Sequence, residues 1–195
     1  MKKNRAAFLD RDGVLIREVG YLQDLKRVNF YCGNIEALKL LKQKKFKLIV
    51  VSNQSGVARG YFTEDFVRKT HRLIQKKLKK YKIKIDAFYY CPHHIRDVKI
   101  KKYFRNCFCR KPKPGMVLKA KKRFNIDLKN SFMIGDKLTD IKLGKNTGMK
   151  TFLLLTGYGR EQKKMIDKDT KPDYICKNLL SAAKIIIKGE KNEKK

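Results

Sequence analysis

Short apolar runs separated by amphipathic stretches limit the architectures open to this chain. Arg5–Leu9, Phe46–Val51, Asp86–Tyr90, Ser131–Gly135, Lys150–Leu155 and Asp173–Cys176 are short runs of apolar and β-forming residues, each read as a strand. Between them, Ile35–Lys44, Thr63–Tyr81 and Pro114–Phe124 read as helices, Asp136–Thr147 as a loop with a short helix, and Asn178–Lys188 as a closing helix. Thr63 followed by Glu64 and Asp65 has the form of an N-cap with acids in the first turn. Strands alternating with helices predict an α/β fold in three layers, a parallel sheet covered on both faces. With no repeat and no linker in 195 residues, a single domain is expected over 1–188, without a large cap domain. A basic tail, 189–195, is expected to be disordered.

Charge is the compositional outlier: 50 Lys and Arg against 18 Asp and Glu give +32. Such a surface suits nucleic acid or a membrane, and a zinc-stapled nucleic-acid-binding module is one reading of the chain. The charge, however, spreads through helices and termini, and Lys outnumbers Arg, the better bidentate phosphate ligand. No nucleic-acid partner is therefore expected, while a basic field favours capture of an anionic substrate. No apolar run is long enough to span a membrane, and none follows Met1-Lys2-Lys3-Asn4 as a secretory signal would. A cytoplasmic monomer with reduced cysteines is expected.

Polar residues gather just after the strands, where open α/β sheets bind ligands. Asp10 and Asp12 follow the first run. Asp10 is placed to attack phosphorus and form an aspartyl-phosphate, and Asp12 to protonate the leaving alcohol and then deprotonate water. Ser52, Asn53, Gln54 and Ser55 follow the second run and offer a hydroxyl-and-amide nest for phosphate oxygens. Arg110 and Lys111 precede a helix start, where cations and the helix dipole favour an anion. Lys111 would neutralise the phosphoryl group and restrain Asp10, and Arg110 would grip a second anionic group. Asp136 would complete a Mg²⁺ site with the Asp10 side chain and the Asp12 carbonyl, with Asp140 either capping a helix or supporting Asp136.

A second constellation is Cys91-Pro92-His93 with Cys107-Phe108-Cys109. Three thiols and an imidazole in two close pairs match a tetrahedral structural Zn²⁺ site that would staple the loop 91–109. His93 pairs more symmetrically than His94. Cys32 and Cys176 lack such partners and read as packing residues, and His71 as a structural residue of its helix.

Together, Asp10-Arg11-Asp12-Gly13, the segment from Ser52, Arg110-Lys111 and Gly135-Asp136-Lys137 resemble the haloacid dehalogenase superfamily of aspartate-nucleophile phosphohydrolases. The resemblance covers nearly the whole chain and implies a Rossmann-like sheet and Mg²⁺ dependence. With Cys91-Pro92-His93-His94 and Cys107-Phe108-Cys109 added, it narrows to the branch holding sugar-bisphosphate and histidinol-phosphate phosphatases. It then implies an anionic sugar bisphosphate as substrate, Mg²⁺ at Asp10, Asp12 and Asp136, and Zn²⁺ at Cys91, His93, Cys107 and Cys109. It also implies substrate contacts from Glu18, Val19, Gly20, Tyr21, Ser52, Asn53, Gln54, Ser55, Arg110, Lys111 and Lys137.

Overall fold

All residues of β1 (Ala6–Leu9) are buried, and the molecule is layered around this strand. In the computed structural model, which describes residues 3–192, β1 pairs in parallel with β2 (Lys47–Asn53) on one side and β4 (Phe132–Gly135) on the other. The sheet extends outward to β3 (Ala87–Cys91) beyond β2, and to β5 (Lys150–Leu154) and β6 (Tyr174–Cys176) beyond β4. The strand order is β3-β2-β1-β4-β5-β6, every pairing parallel, as the alternating pattern predicts.

Period-two alternation in β1 divides the core. Ala7 and Leu9 join a cluster with residues of α1 (Asn34–Gln43), α2 (Glu64–Lys79) and α6 (Leu179–Asn192), among them Leu38, Leu41, Ile74, Leu78 and Ala182. Ala6 and Phe8 join a second cluster with Met116, Val117 and Ala120 of α3 (Gly115–Phe124) and Leu143 of α4 (Leu138–Asn146). Because the sheet grows in opposite directions from β1, its carboxyl edge between β1 and β4 is a topological switch point, and Asp10 and Asp136 follow these two strands.

The helix α6 continues to Asn192, past the end expected at Lys188. Gly189 alone does not stop it, since Lys and Glu on either side favour helix; residues 193–195 of the expected disordered tail lie outside the described residues. The short α5 (Gly159–Lys163) and two 3₁₀ turns, Leu25–Arg27 and Lys101–Tyr103, are additions that no apolar periodicity announces. Among the described residues no helix is long and apolar enough to cross a membrane.

His71 is buried on α2, stacked on Phe88 with ring centroids 4.6 Å apart. Burial first, and then the Arg11 charge, lowers its pKa from 6.5 to about 3. The unfolded chain thus binds a proton below about pH 6.5 that the folded chain refuses until about pH 3. Stability should therefore fall on acidification through this window, by up to about 1.4 kcal/mol per pH unit. Urea denaturation of the wild type and His71→Phe at a series of pH values checks this: the variant should lose that part of the acid slope.

Candidate active site

At the switch point a buried ammonium holds the carboxylates together. Lys111, 3% exposed, donates from Nζ to Val51 O (2.9 Å) and stands 3.0 Å from Asp10 Oδ1 and 2.6 Å from Asp140 Oδ1. Burial alone would lower the Lys111 pKa, but the two carboxylates hold it above the usual lysine value. Asp10 Oδ1 also accepts from Arg11 N at 2.7 Å, so both of these donors approach the same oxygen. Asn53 fixes the backbone of Lys111 from β2: its Oδ1 accepts from Lys111 N (3.0 Å) and its Nδ2 donates to Lys111 O (3.1 Å).

Asp136 is fully buried. Its Oδ2 accepts from Tyr158 N (2.9 Å), while Oδ1 has no partner among the described residues. Gly13 and Gly157, both at positive φ, let two backbone segments close on this carboxyl; a Cβ at either would collide with it. Burial and the neighbouring Asp10 and Asp140 push the Asp136 pKa up to about 8. Burial likewise raises Asp140 to about 6, against the pull of Lys111. Carboxylate oxygens of Asp10, Asp136 and Asp140 lie within 4.8 Å of one another. Buried acids at this spacing, one with an orphaned oxygen, fit a hard divalent cation. Asp140 thus joins the cluster directly, in contact with Lys111, and its Oδ2 also accepts from Lys137 N (3.2 Å). The Asp12 side chain turns instead to Arg11 and Gln54.

A cavity of about 310 Å³ opens over Asp10, Asp12 and Lys111, with Asp136 and Asp140 behind its lining, and every predicted catalytic and substrate residue except Val19 and Arg110 lines it. Glu18 Oε1 accepts from Val19 N (3.0 Å) and Gly20 N (2.8 Å), and Lys137 Nζ stands 3.6 Å from Glu18 Oε2 and 4.4 Å above the centre of the Tyr158 ring. Burial raises the Glu18 pKa, with Lys137 opposing. Val19 packs against the core. Arg110 donates to His93 O (3.1 Å) and lines an adjoining cavity of about 600 Å³ that shares Lys111 with the first. Tyr158 and Gln162 also line the first cavity. They sit on and beside α5, and no sequence motif marks them.

The second constellation is also gathered. Cys91 Sγ lies 3.3 Å from Cys107 Sγ and 3.2 Å from Cys109 Sγ, and His93 Nδ1 is 3.5 Å from Cys109 Sγ. His94 turns away, its Nδ1 engaged with the backbone of Arg96. Burial raises the Cys91 and Cys109 pKa values, while Cys107, despite its own burial, is lowered by hydrogen bonds from the other two thiols; a cation among them would favour the thiolate form of all three. Glu64 ties this loop to α2 by accepting from Tyr90 (2.6 Å) and Tyr103 (2.7 Å) hydroxyls.

Fold and site together define a hydrolase of the haloacid dehalogenase type. A HAD-hydrolase-like family model matches residues 108–182. The D-glycero-beta-D-manno-heptose-1,7-bisphosphate 7-phosphatase of Pasteurella multocida is 42% identical over 195 residues, covering 98% of this chain and all of that protein. The D-glycero-alpha-D-manno-heptose-1,7-bisphosphate 7-phosphatase of Photorhabdus laumondii is 34% identical, covering 94% of this chain and 97% of its own. The crystal structure of D,D-heptose 1,7-bisphosphate phosphatase from B. bronchiseptica, complexed with magnesium and phosphate, superposes with a TM-score of 0.82 at 27% identity, covering 95% of this chain and 99% of that one. The chain belongs to the heptose-1,7-bisphosphate 7-phosphatase family, and it is a phosphoric monoester hydrolase.

Removing the buried cation should unsettle the whole cluster. Lys111→Met leaves Asp10 and Asp140 buried without their partner, a change expected to cost about 3–5 kcal/mol. Urea denaturation of the purified variant measures it.

Proposed function

We propose that the protein hydrolyses the 7-phosphate of D-glycero-D-manno-heptose 1,7-bisphosphate through an aspartyl-phosphate on Asp10. The product would supply ADP-heptose for the lipopolysaccharide core. The observation that carries the reading is the meeting, in one cavity, of the Asp10, Asp12 and Lys111 motifs in a chain that matches heptose bisphosphate phosphatases end to end. Histidinol-phosphate hydrolysis and nucleic-acid binding draw no support from the relatives named above.

In the first step an Asp10 oxygen attacks phosphorus, the ester O–P bond breaks, and Asp12 gives its proton to the departing sugar oxygen. In the second, Asp12 takes a proton from water, which attacks the acyl phosphate and releases inorganic phosphate. Lys111 restrains Asp10 and offsets phosphoryl charge, and Ser52, Gln54 and Ser55 line the phosphate side of the cavity. The Asn53 amide acts through Lys111, whose backbone it grips. Glu18, Gly20, Tyr21 and Lys137 frame the sugar, and Arg110, from the adjoining cavity, takes the phosphate that stays.

Asp10 and Asp136, the Asp12 carbonyl and the adjacent Asp140 would hold Mg²⁺, which supplies positive charge against the repulsion between carboxylate and phosphate. Cys91, His93, Cys107 and Cys109 would hold a structural Zn²⁺. The enzyme works as a cytoplasmic monomer in this reading.

A phosphate-release screen with both heptose 1,7-bisphosphate anomers, histidinol phosphate and fructose 1,6-bisphosphate tests the substrate. A heptose bisphosphate should lead by kcat/KM, and folded Asp10→Asn should release no phosphate above background, because an amide cannot form the acyl phosphate. Preference for histidinol phosphate would overturn the assignment.

The loop metal has a separate test. Cys109 directly precedes Arg110 and Lys111, so Cys107→Ser should lose one equivalent of zinc by metal analysis and raise KM more than it lowers kcat. Active, reduced wild-type protein that contains and binds no zinc would refute it.

A further inference from the structure

Arg11 stands between the two aspartates of the first motif, yet its side chain is 2% exposed. Its Nε lies 3.1 Å from both Asp12 oxygens, and its Nη2 lies 2.9 Å from Asp12 Oδ2 and 2.8 Å from Gln54 Oε1. Gln54 closes the ring by donating from Nε2 to Asp12 Oδ2 (2.8 Å) and to Ser52 Oγ (2.7 Å). The ion pair is well shielded, with side-chain exposures of 2% for Arg11 and 17% for Asp12, unlike the solvated surface pairs that contribute little. Burial and the Arg11 charge lower the pKa of the neighbouring His71, so this imidazole adds no second positive charge beside the guanidinium.

We propose that Arg11 is the positioning residue of Asp12: it fixes the carboxyl group and stabilises the negative charge left there when the proton passes to the departing sugar oxygen. The inference rests on the acid/base reading of Asp12 given above. As the ester O–P bond breaks and the Asp10 O–P bond forms, the leaving oxygen takes the Asp12 proton. Asp12 becomes a carboxylate facing a guanidinium that is already in place and permanently charged. A buried, preorganised cation aimed at developing charge acts on the transition state more than on the bound substrate. Each reacting carboxylate then has its own buried cation: Lys111 for Asp10, and Arg11, through the Gln54 ring, for Asp12.

A guanidinium that only held the fold would, on removal, slow every substrate alike. One acting through Asp12 matters where the leaving group needs a proton. Rapid-quench phospho-enzyme formation is therefore measured with D-glycero-D-manno-heptose 1,7-bisphosphate, a poor leaving group, and with p-nitrophenyl phosphate, whose phenolate departs unprotonated. For Arg11→Met the rate with the sugar ester should fall about 30-fold and that with the nitrophenyl ester less than about 3-fold, with KM within about 3-fold. Arg11→Lys should recover part of the loss. If Arg11→Met does not fold, Gln54→Leu, which opens the same ring, should show the same selectivity at smaller amplitude. Equal losses on both esters, or a change in KM alone, would overturn the proposal. Asp12→Asn separates the two layers of the argument. If it lacks the leaving-group dependence, the acid/base reading itself fails; if it has the dependence and Arg11→Met does not, Arg11 alone is misassigned.

Discussion

The ammonium of Lys111 is the interaction on which the rest of the site depends. Asp10, Asp136 and Asp140 are each almost or wholly removed from solvent, and their carboxylate oxygens lie close enough to repel strongly. One cation against two of them, anchored by a strand carbonyl, makes such a cluster tolerable inside a folded chain. The remaining tension falls on Asp136, whose pKa is raised and one of whose oxygens has no partner among the described residues. Site and fold are thus coupled electrostatically: the sheet brings the acids together, and buried cations let the sheet keep them.

Sheet topology explains why few sequence segments suffice. β1 and β4 deliver Asp10 and Asp136 side by side, β2 delivers the Ser52–Ser55 turn, and the segment before α3 carries Lys111 across to them. Asn53 holds that crossing segment by both backbone groups of Lys111, so β2 sets the position of the ammonium as well as one wall of the cavity.

The strands and most helices were legible because their apolar periods are clean, and the carboxylates because they stand at strand ends. Boundaries shifted by a few residues where capping decides them, as at α6, which runs on through Gly189. α5 escaped notice because five residues carry no apolar face, and with it went Tyr158 and Gln162 at the cavity wall. Asp140 was legible as an acid one helical turn beyond Asp136, but its pairing with Lys111 depends on a contact across the chain. Arg11 carried a signal that pattern reading passes over: a guanidinium in a strand-end motif flanked by apolar residues must be paired if it is buried. Val19 shows the reverse case, a motif neighbour whose half-buried side chain packs against the core.

The loop from Cys91 to Cys109 is held at both ends by the thiol–imidazole cluster and in its middle by Glu64, which receives the Tyr103 hydroxyl. Tyr90 and Cys91, at the end of β3, share these anchors with the sheet, and the loop is held further by Ala58 O, which accepts from Lys99 N and Ile100 N, and by the Arg59–Asp97 ion pair. Arg110 follows Cys109 directly, so the wall it gives the adjoining cavity is set by these anchors, whereas Asp10 and Asp136 are set by the sheet itself.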